Sequence, residues 1–265
     1  MAYLHKDRAF LLVSGADAFD YLQNMVSNDI RPVHESQKPV YSLLLDNKGK
    51  YKFDFFVWPY NEADYLLETS ASQITAMTKL LKFYKLRADI TLSELSDLYI
   101  CSSLEKEDGY DADPRLDSGL YRKLGHGNPP DMTNSFDYTI WRIENGLPEY
   151  EDLIADEDTP IEMGFDELHA ITYSKGCFLG QEGTNKAKHR LVIKKRLLPF
   201  SVAAKSMTEP NLTNANERSA GEVRCFKQGY GLAVIKLKYL DEPIYLDGQE
   251  IEAHIPQWMN LPDSE

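Results

Sequence analysis

Apolar residues recur along this chain with two periods, one near 3.6 and one near 2. In SGADAFDYLQNMV, Phe19, Leu22 and Met25/Val26 fall at helical spacing, with Ser14 as N-cap and Asp17 in the first turn. YSLLLDNKGKYKFDFFVW reads as a hairpin. Residues 41–45 form an apolar strand, Asn47-Lys48-Gly49 the turn, and Tyr51, Phe53, Phe55 and Val57 alternate on the return. A strand over 65–69 follows. Then Ile74, Met77, Leu80/Leu81 and Tyr84 mark an amphipathic helix capped by Ser70 or Ser72. Residues 87–103 hold one or two more strands.

From 105 to 135 the composition shifts to Gly, Pro, Asp and Asn, which predicts connecting loops with a short helical piece at 119–124. A helix follows over 137–146, with Tyr138, Trp141 and Glu144/Asn145 on one row, Ile140 and Ile143 on another, and Gly146 and Pro148 as its stop. EYEDLIADED, with six carboxylates in ten residues, reads as a solvated acidic loop. It lacks EF-hand spacing and histidine, so a carboxylate metal site is the weaker reading. Residues 191–255 alternate short apolar stretches with turn signals, as a small antiparallel barrel or sandwich does. The mixture of helices and hairpins predicts an α+β chain rather than a doubly wound sheet.

With 265 residues, 43% of them hydrophobic, the chain has enough apolar material for a substantial core. The net charge of −13 disfavours wholesale attraction to nucleic acid or to an anionic membrane surface. No apolar run approaches transmembrane length, and the N-terminus has neither a signal-peptide nor a presequence pattern. Cys101, Cys177 and Cys225 are odd in number and far apart, with no disulfide framework and no CxxC pattern. The expected compartment is a reducing cytoplasm of bacterial type.

The stretch KGCFLGQE at 175–182 has neither helical stripe nor strand alternation, and it reads as a loop that presents a group. A thiol acts as thiolate, and Lys175 is placed to favour that form at Cys177. Gly176 and Gly180 allow positive φ and a close partner, and Gln181 and Glu182 add hydrogen-bonding capacity. The competing reading, an inert cysteine in a Gly-rich turn, stands at even weight on composition alone. A Cys–His–Asp triad using His169 or His189 is a poorer fit, because nearness in sequence does not place a base. A zinc site is poorer still, since Cys177 has no cysteine partner nearby.

KGCFLGQE resembles the K-G-C-[FYW]-x-G-Q-E signature of the YgfZ/IBA57 family of folate-binding proteins, within the superfamily of the glycine-cleavage T-protein. The surroundings agree. WRIENGLP at 141–148 resembles R-[IL]-E-x-G-x-P through Arg142, Glu144, Gly146 and Pro148. SGADAFDYLQNMVSND, DPRL at 113–116 and GYGLAVIKL have counterparts as well. The resemblance spans nearly the whole chain. It implies two mixed subdomains around a central channel plus a C-terminal antiparallel β-barrel, with bounds set here at 1–100, 101–190 and 191–265.

The implied function is that of an accessory factor in assembly or repair of iron–sulfur clusters, dependent on tetrahydrofolate or another reduced folate and affecting tRNA modification indirectly. Its partners would be Fe–S client enzymes and assembly proteins, with neither stable nucleic-acid binding nor a membrane. On this resemblance Cys177 is the functional thiol and a transient cluster ligand, assisted by Lys175. Arg142, Glu144, Gln181, Glu182, Lys186 and Arg190 are the folate-binding candidates. A carboxylate such as Glu144 or Glu182 suits the amidine-like edge of a pterin, and cations suit the anionic tail. One departure stands out: Lys186 occupies the place of the family's arginine, keeping the charge but not the bidentate fork. Two other classes stay open. One is a one-carbon transferase of T-protein type. The other is an RNA-binding module built on the basic run Lys186, Lys188, Arg190, Lys194, Lys195 and Arg196, which lacks an aromatic stacking motif.

Overall fold

A computed structural model describes residues 2–131, 133–190 and 193–261, with the side chains of His189 and Arg190 outside the description. The first nine elements are β1 (Ala2–His5), β2 (Arg8–Ser14), α1 (Ala18–Met25), α2 (Arg31–Ser36), β3 (Val40–Leu45), β4 (Tyr51–Pro59), β5 (Tyr65–Ser70), α3 (Ile74–Lys85) and β6 (Thr91–Leu95). Five of the strands form an antiparallel sheet in the order β3-β4-β5-β2-β6.

Strands β3, β4 and β5 are buried on both faces, so they read as apolar runs rather than clean alternations, whereas edge strand β6 is largely exposed. Phe53, Phe55 and Val57 of β4 pack with Leu22, Met77 and Leu81 beneath α1 and α3. Phe56 and Trp58 face the other way, toward Ile100, Phe165 and Leu232. Asp54 shares the parity of Phe56 and Trp58. The β-branched and aromatic residues of β3 and β4 fit a pleated, two-sided core, and the hairpin register runs from Val40–Val57 to Leu45–Tyr51.

The second layer is a four-stranded sheet of β1, β7 (Leu98–Ser103), β8 (Asp111–Ala112) and β9 (Tyr121–His126), in the order β1-β7-β9-β8. The expected helical piece at 119–124 is therefore corrected to strand. Tyr121–His126 pairs along its whole length with β7, from Ser103–Tyr121 to Leu98–His126, and a partner distant in the chain overrides local preference. Residues 2–5 pair with β7 as well, so the chain enters in the second sheet and crosses to the first. The boundary set at residue 100 falls inside β7.

Helix α4 (Tyr138–Glu144) is capped by the Asp137 carboxylate, which accepts from Ile140 N at 3.1 Å. Helix α5 spans Gln181–Arg190. Two expected caps differ. Helix α1 starts after Asp17 and α3 after Gln73, neither with a side-chain cap. Ser70 and Ser72 donate to Glu151 instead.

The C-terminal part is a seven-stranded antiparallel sheet of β10 (Lys195–Ser201), β11 (Asn211–Asn214), β12 (Ser219–Lys227), β13 (Tyr230–Lys236), β14 (Ile244–Leu246), β15 (Gln249–Glu250) and β16 (Glu252–Ala253). Its two edge strands, β15 and β16, are one residue apart in the chain, so the sheet curls into a nearly closed barrel around Phe200, Leu212, Ile235 and Ile244.

Among the apolar side chains between the first two sheets runs a buried ionic network. Glu68 accepts from Arg8 Nε at 2.7 Å, from Trp58 Nε1 at 2.8 Å and from Arg122. Asp113 holds Arg115 through both oxygens, at 3.0 and 2.9 Å, and Arg115 reaches the Tyr138 hydroxyl at 3.1 Å. The Arg122 guanidinium lies 4.1 Å from the centre of the Phe56 ring. Burial alone would raise the Asp113 pKa, but Arg115 and Arg122 outweigh it and hold the carboxyl below its ordinary value.

The acidic run is part of this interior, which corrects the expectation of a solvated loop. Asp152 pairs with Arg142 at 2.6 Å, and Asp158 pairs with Arg224 at 3.0 Å. Glu149 accepts from the Tyr138 hydroxyl at 3.1 Å. Glu151, Asp156 and Glu157 are exposed, as the composition suggested. A run of like charge enters a core when each buried member meets its own counter-charge.

Candidate functional site

The KGCFLGQE loop is strapped to the segment that leaves α1. Thr172 N donates to Ser27 O at 3.0 Å, Leu179 N to Asn24 O at 3.2 Å, and the Ser27 hydroxyl to Ala170 O at 2.6 Å. The strongest tie is Lys175. Its buried ammonium donates to the carbonyl oxygens of Val26 and Asn28, both at 2.7 Å. Burial pushes the Lys175 ammonium down to about 8, only partly offset by Asp29. Lys175 thus spends its donors on backbone oxygens across 147–149 residues of sequence, holding the loop where Phe178 enters the core.

Between these two buried anchors the loop turns outward, and Cys177 is exposed. The other thiols differ: Cys101 is buried, and burial raises Cys225 to about 12. No group of three or more His, Cys, Asp or Glu among the described residues is arranged to hold a metal ion. Cys177 therefore offers a single soft ligand.

The motif glycines have different reasons. Gly180, at φ +84°, lies against the β3–β4 turn, where a Cβ would come within 2.5 Å of Asp46 O. Gly183 is tighter, with a Cβ at 1.9 Å from Lys48 O, and Gly49 returns the contact from the turn side. The close partner that sequence spacing anticipated at Gly180 is the protein's own hairpin. Around Gly176 the space is open, and its φ lies outside the left-handed region.

The other expected residues do not gather around Cys177. Gln181 and Glu182 open α5, and exposed Glu182 pairs with Lys186 one turn on. That hydrogen bond holds the Glu182 carboxyl below its ordinary value. The Arg190 side chain lies outside the described residues. Lys188 sits 3.7 Å from the centre of the Tyr173 ring, and Arg196 is buried against Glu167 and Ile161 O. The basic run is thus divided between a helix surface, an aromatic face and the barrel core.

Arg142 is fully engaged by Asp152, by Glu149 at 3.6 Å and by Leu147 O at 3.2 Å. Glu144, two residues on, is exposed. It lines a cleft of about 490 Å³ with Asp117, Asn145, His254 and Trp258, where the middle of the chain meets the C-terminal segment. The His254 ring nitrogen lies 2.9 Å from the Glu144 carbonyl oxygen, and Trp258 Nε1 donates to Asn145 O at 2.8 Å. No protein group is bonded to the Glu144 carboxylate among the described residues.

The cleft is large enough for a small polar heterocycle. It has an indole on its wall and an unengaged carboxylate for an N–C–NH₂ edge. The middle of the two sheets, expected as a channel, is filled by Arg8, Arg115 and Arg122 around Phe56. Asp54 escaped the sequence reading, although a lone carboxylate in the apolar strand YKFDFFVW was a usable signal. It accepts from the Tyr51 hydroxyl at 2.6 Å and from Tyr41 at 2.9 Å, and burial raises its pKa.

Comparison with known proteins agrees with this architecture. Residues 194–261 match the family "CAF17, C-terminal beta-barrel domain". The chain is 32% identical over 217 residues to the mitochondrial iron–sulfur cluster assembly factor IBA57 homologue of Pyricularia oryzae, covering 73% of this chain and 55% of that protein. The chain thus spans about half the length of the fungal relatives it matches. Mouse mitochondrial IBA57 is 25% identical over 297 residues, covering 95% of this chain and 83% of that one. The crystal structure of the glycine cleavage system aminomethyltransferase T from Bartonella henselae superposes with a TM-score of 0.75 at 11% identity, covering 97% of this chain and 86% of that one.

These relatives are mitochondrial proteins by name, and this overturns the cytoplasmic expectation. That expectation rested on free thiols, which report a reducing compartment rather than a particular one. With its KGCFLGQE loop on a T-protein fold and a CAF17-type barrel, the chain is similar along nearly its whole length to the IBA57 iron–sulfur cluster assembly factors, consistent with the YgfZ/IBA57 family.

Proposed function

We propose that this protein is a folate-binding accessory factor in the assembly or repair of iron–sulfur clusters on client proteins. The observation that carries the reading is the presentation of Cys177, an exposed thiol between Lys175 and Phe178, both anchored in the interior. A thiolate held in this way is a soft ligand for iron. One protein ligand is too few to keep a cluster, so the cluster is cargo, shared with thiolates of an assembly protein or a client. The names of the relatives support this class of partner.

In the same reading the Glu144 cleft takes the pterin end of a reduced folate, with Trp258 against the ring and the carboxylate on its donor edge. Arg142 then acts indirectly, by fixing the start of the Gly146 turn through Asp152. Bound folate supplies a one-carbon carrier and a reducing heterocycle. The chain's own groups orient it. An effect on tRNA modification follows where a client is an Fe–S enzyme that modifies tRNA. A transferase of T-protein type is less well supported, because it needs a carboxylate placed to meet substrate, and Asp54 is 5% exposed with each oxygen engaged by a tyrosine hydroxyl.

The test is complementation in cells lacking the gene. Cys177→Ser is expected to fold and accumulate normally while Fe–S enzyme activities stay low. Full restoration by the serine variant removes the thiol from the mechanism. Thermal shift with tetrahydrofolate tests the cleft separately, since a ligand of the folded state raises the melting temperature.

A further inference from the structure

Helix α3 carries on its outward side a patch that the proposed function does not use. Its inner face, Ile74, Met77, Thr78 and Leu81, is buried against the first sheet. At its C-terminal end Phe83 is 73% exposed and Leu86, just past the helix, is 87% exposed, the two most exposed large apolar side chains described. They lie among Lys79, Lys82, Lys85 and Arg87, and no Asp or Glu occurs between Ile74 and Ala88. None of these four cations makes an ion pair or side-chain hydrogen bond among the described residues.

Leu86 also sits badly for the fold. Ala88 N donates to Lys85 O at 2.9 Å, closing a four-residue turn in which Leu86 has φ 48° and ψ −110°. That is the first central position of a type II′ turn, where glycine is favoured. A leucine there, exposed and strained, contributes nothing to burial. Strain retained without a folding gain points to a role outside the fold.

We propose that this end of α3 docks on an anionic phospholipid surface, with Phe83 and Leu86 entering the interface and Lys79, Lys82, Lys85 and Arg87 meeting headgroup phosphates. The chemistry of the patch selects this occupant. It offers donors and apolar tips but no hydrogen-bond acceptor from a side chain between Lys79 and Ala88 apart from the Tyr84 hydroxyl. A protein interface exchanges donors and acceptors in both directions, whereas a phospholipid surface presents acceptors above hydrocarbon. Two protruding apolar side chains ringed by cations are the pattern of shallow interfacial insertion. No helix described is long and apolar enough to cross a membrane, so the contact is peripheral. The net charge of −13 opposed such a surface in the average. Charge separation changes that picture, because beyond a Debye length of about 8 Å the acidic remainder is screened while the patch is in contact.

The test is co-sedimentation of the full chain with vesicles of phosphatidylcholine alone and of phosphatidylcholine mixed with cardiolipin. Binding to the mixed vesicles only is expected, weakening as salt is raised. Lys82→Gln with Lys85→Gln lowers partitioning about thirtyfold, at ~1 kcal/mol per cation near the surface. Phe83→Ser with Leu86→Ser abolishes it while the thermal melt is kept. Equal binding to both vesicle types, no binding to either, or variants that bind like the parent each overturn the proposal. Failure on vesicles together with patch-dependent binding to an acidic client protein hands the surface to a protein partner instead.

Discussion

Lys175 and Cys177 are two residues apart and have opposite fates: the ammonium is buried on the carbonyls of Val26 and Asn28, and the thiol is exposed. The cation that sequence spacing assigned to activating the thiol is a strap that aims it. Replacing Lys175 by Met is therefore expected to lower client activation without altering Cys177 itself. Limited proteolysis and thiol-labelling rates at Cys177 should both rise as the loop loosens. Unchanged labelling with lost function would instead assign Lys175 a chemical role.

The same lysine gives a pH signature. Its folded pKa of about 8 lies below the ordinary lysine value, so between the two the unfolded chain binds more protons than the folded one. Stability contributed through this group therefore rises with pH above about 8 and is lowest below it. Urea unfolding of the parent minus that of Lys175→Met should show this positive slope above pH 8. A flat difference would mean that the ammonium is solvated.

The motif glycines should separate by location. Gly180→Ala meets Asp46 O at 2.5 Å from a backbone at φ +84° and is expected to lower stability by about 1–3 kcal/mol. Gly176→Ala has open space and is expected to be neutral, or stabilising by up to ~1 kcal/mol through the unfolded chain. If Gly176→Ala nonetheless blocks complementation, the open space beside Cys177 is where a client or assembly protein comes close.

Arg142 and Glu144 should also separate. Arg142→Ala leaves Asp152 buried without its cation and is expected to cost about 3–5 kcal/mol in chemical denaturation. Glu144→Gln is exposed and should leave stability within about 0.5 kcal/mol. Its effect is expected on reduced folate, whose affinity should fall by about 1.5–3 kcal/mol, the value of a charged hydrogen bond. Isothermal titration decides, and unchanged affinity moves the pterin contact to Glu182.

Leu86→Gly relieves a left-handed backbone at an exposed side chain. Thermal denaturation should show a gain of about 1 kcal/mol, in the range of strain stored at such positions. A loss would show that Leu86 packs against the body of the protein in solution.

The sequence by itself determined the elements whose partners are near in the chain. The helix at Ile74–Lys85 and the hairpin of β3 and β4 follow from periods of 3.6 and 2 and a turn at Gly49, since each satisfies its backbone within a few residues. The KGCFLGQE resemblance likewise pointed to the loop, the family and the exposed thiol. Tertiary structure decided whatever depends on a distant counterpart. Tyr121–His126 became strand because β7 offered a ladder. Asp152 and Asp158 went inside because Arg142 and Arg224 were waiting there. Gly180 and Gly183 are small for the hairpin turn, and Arg142 and Glu144 part company because one faces the core and the other a cleft. A charge or a glycine carries no label for its partner in the chain. Its role is set by what the fold brings within a few ångströms, because the free energy of a buried ion or a tight contact depends on that neighbour alone.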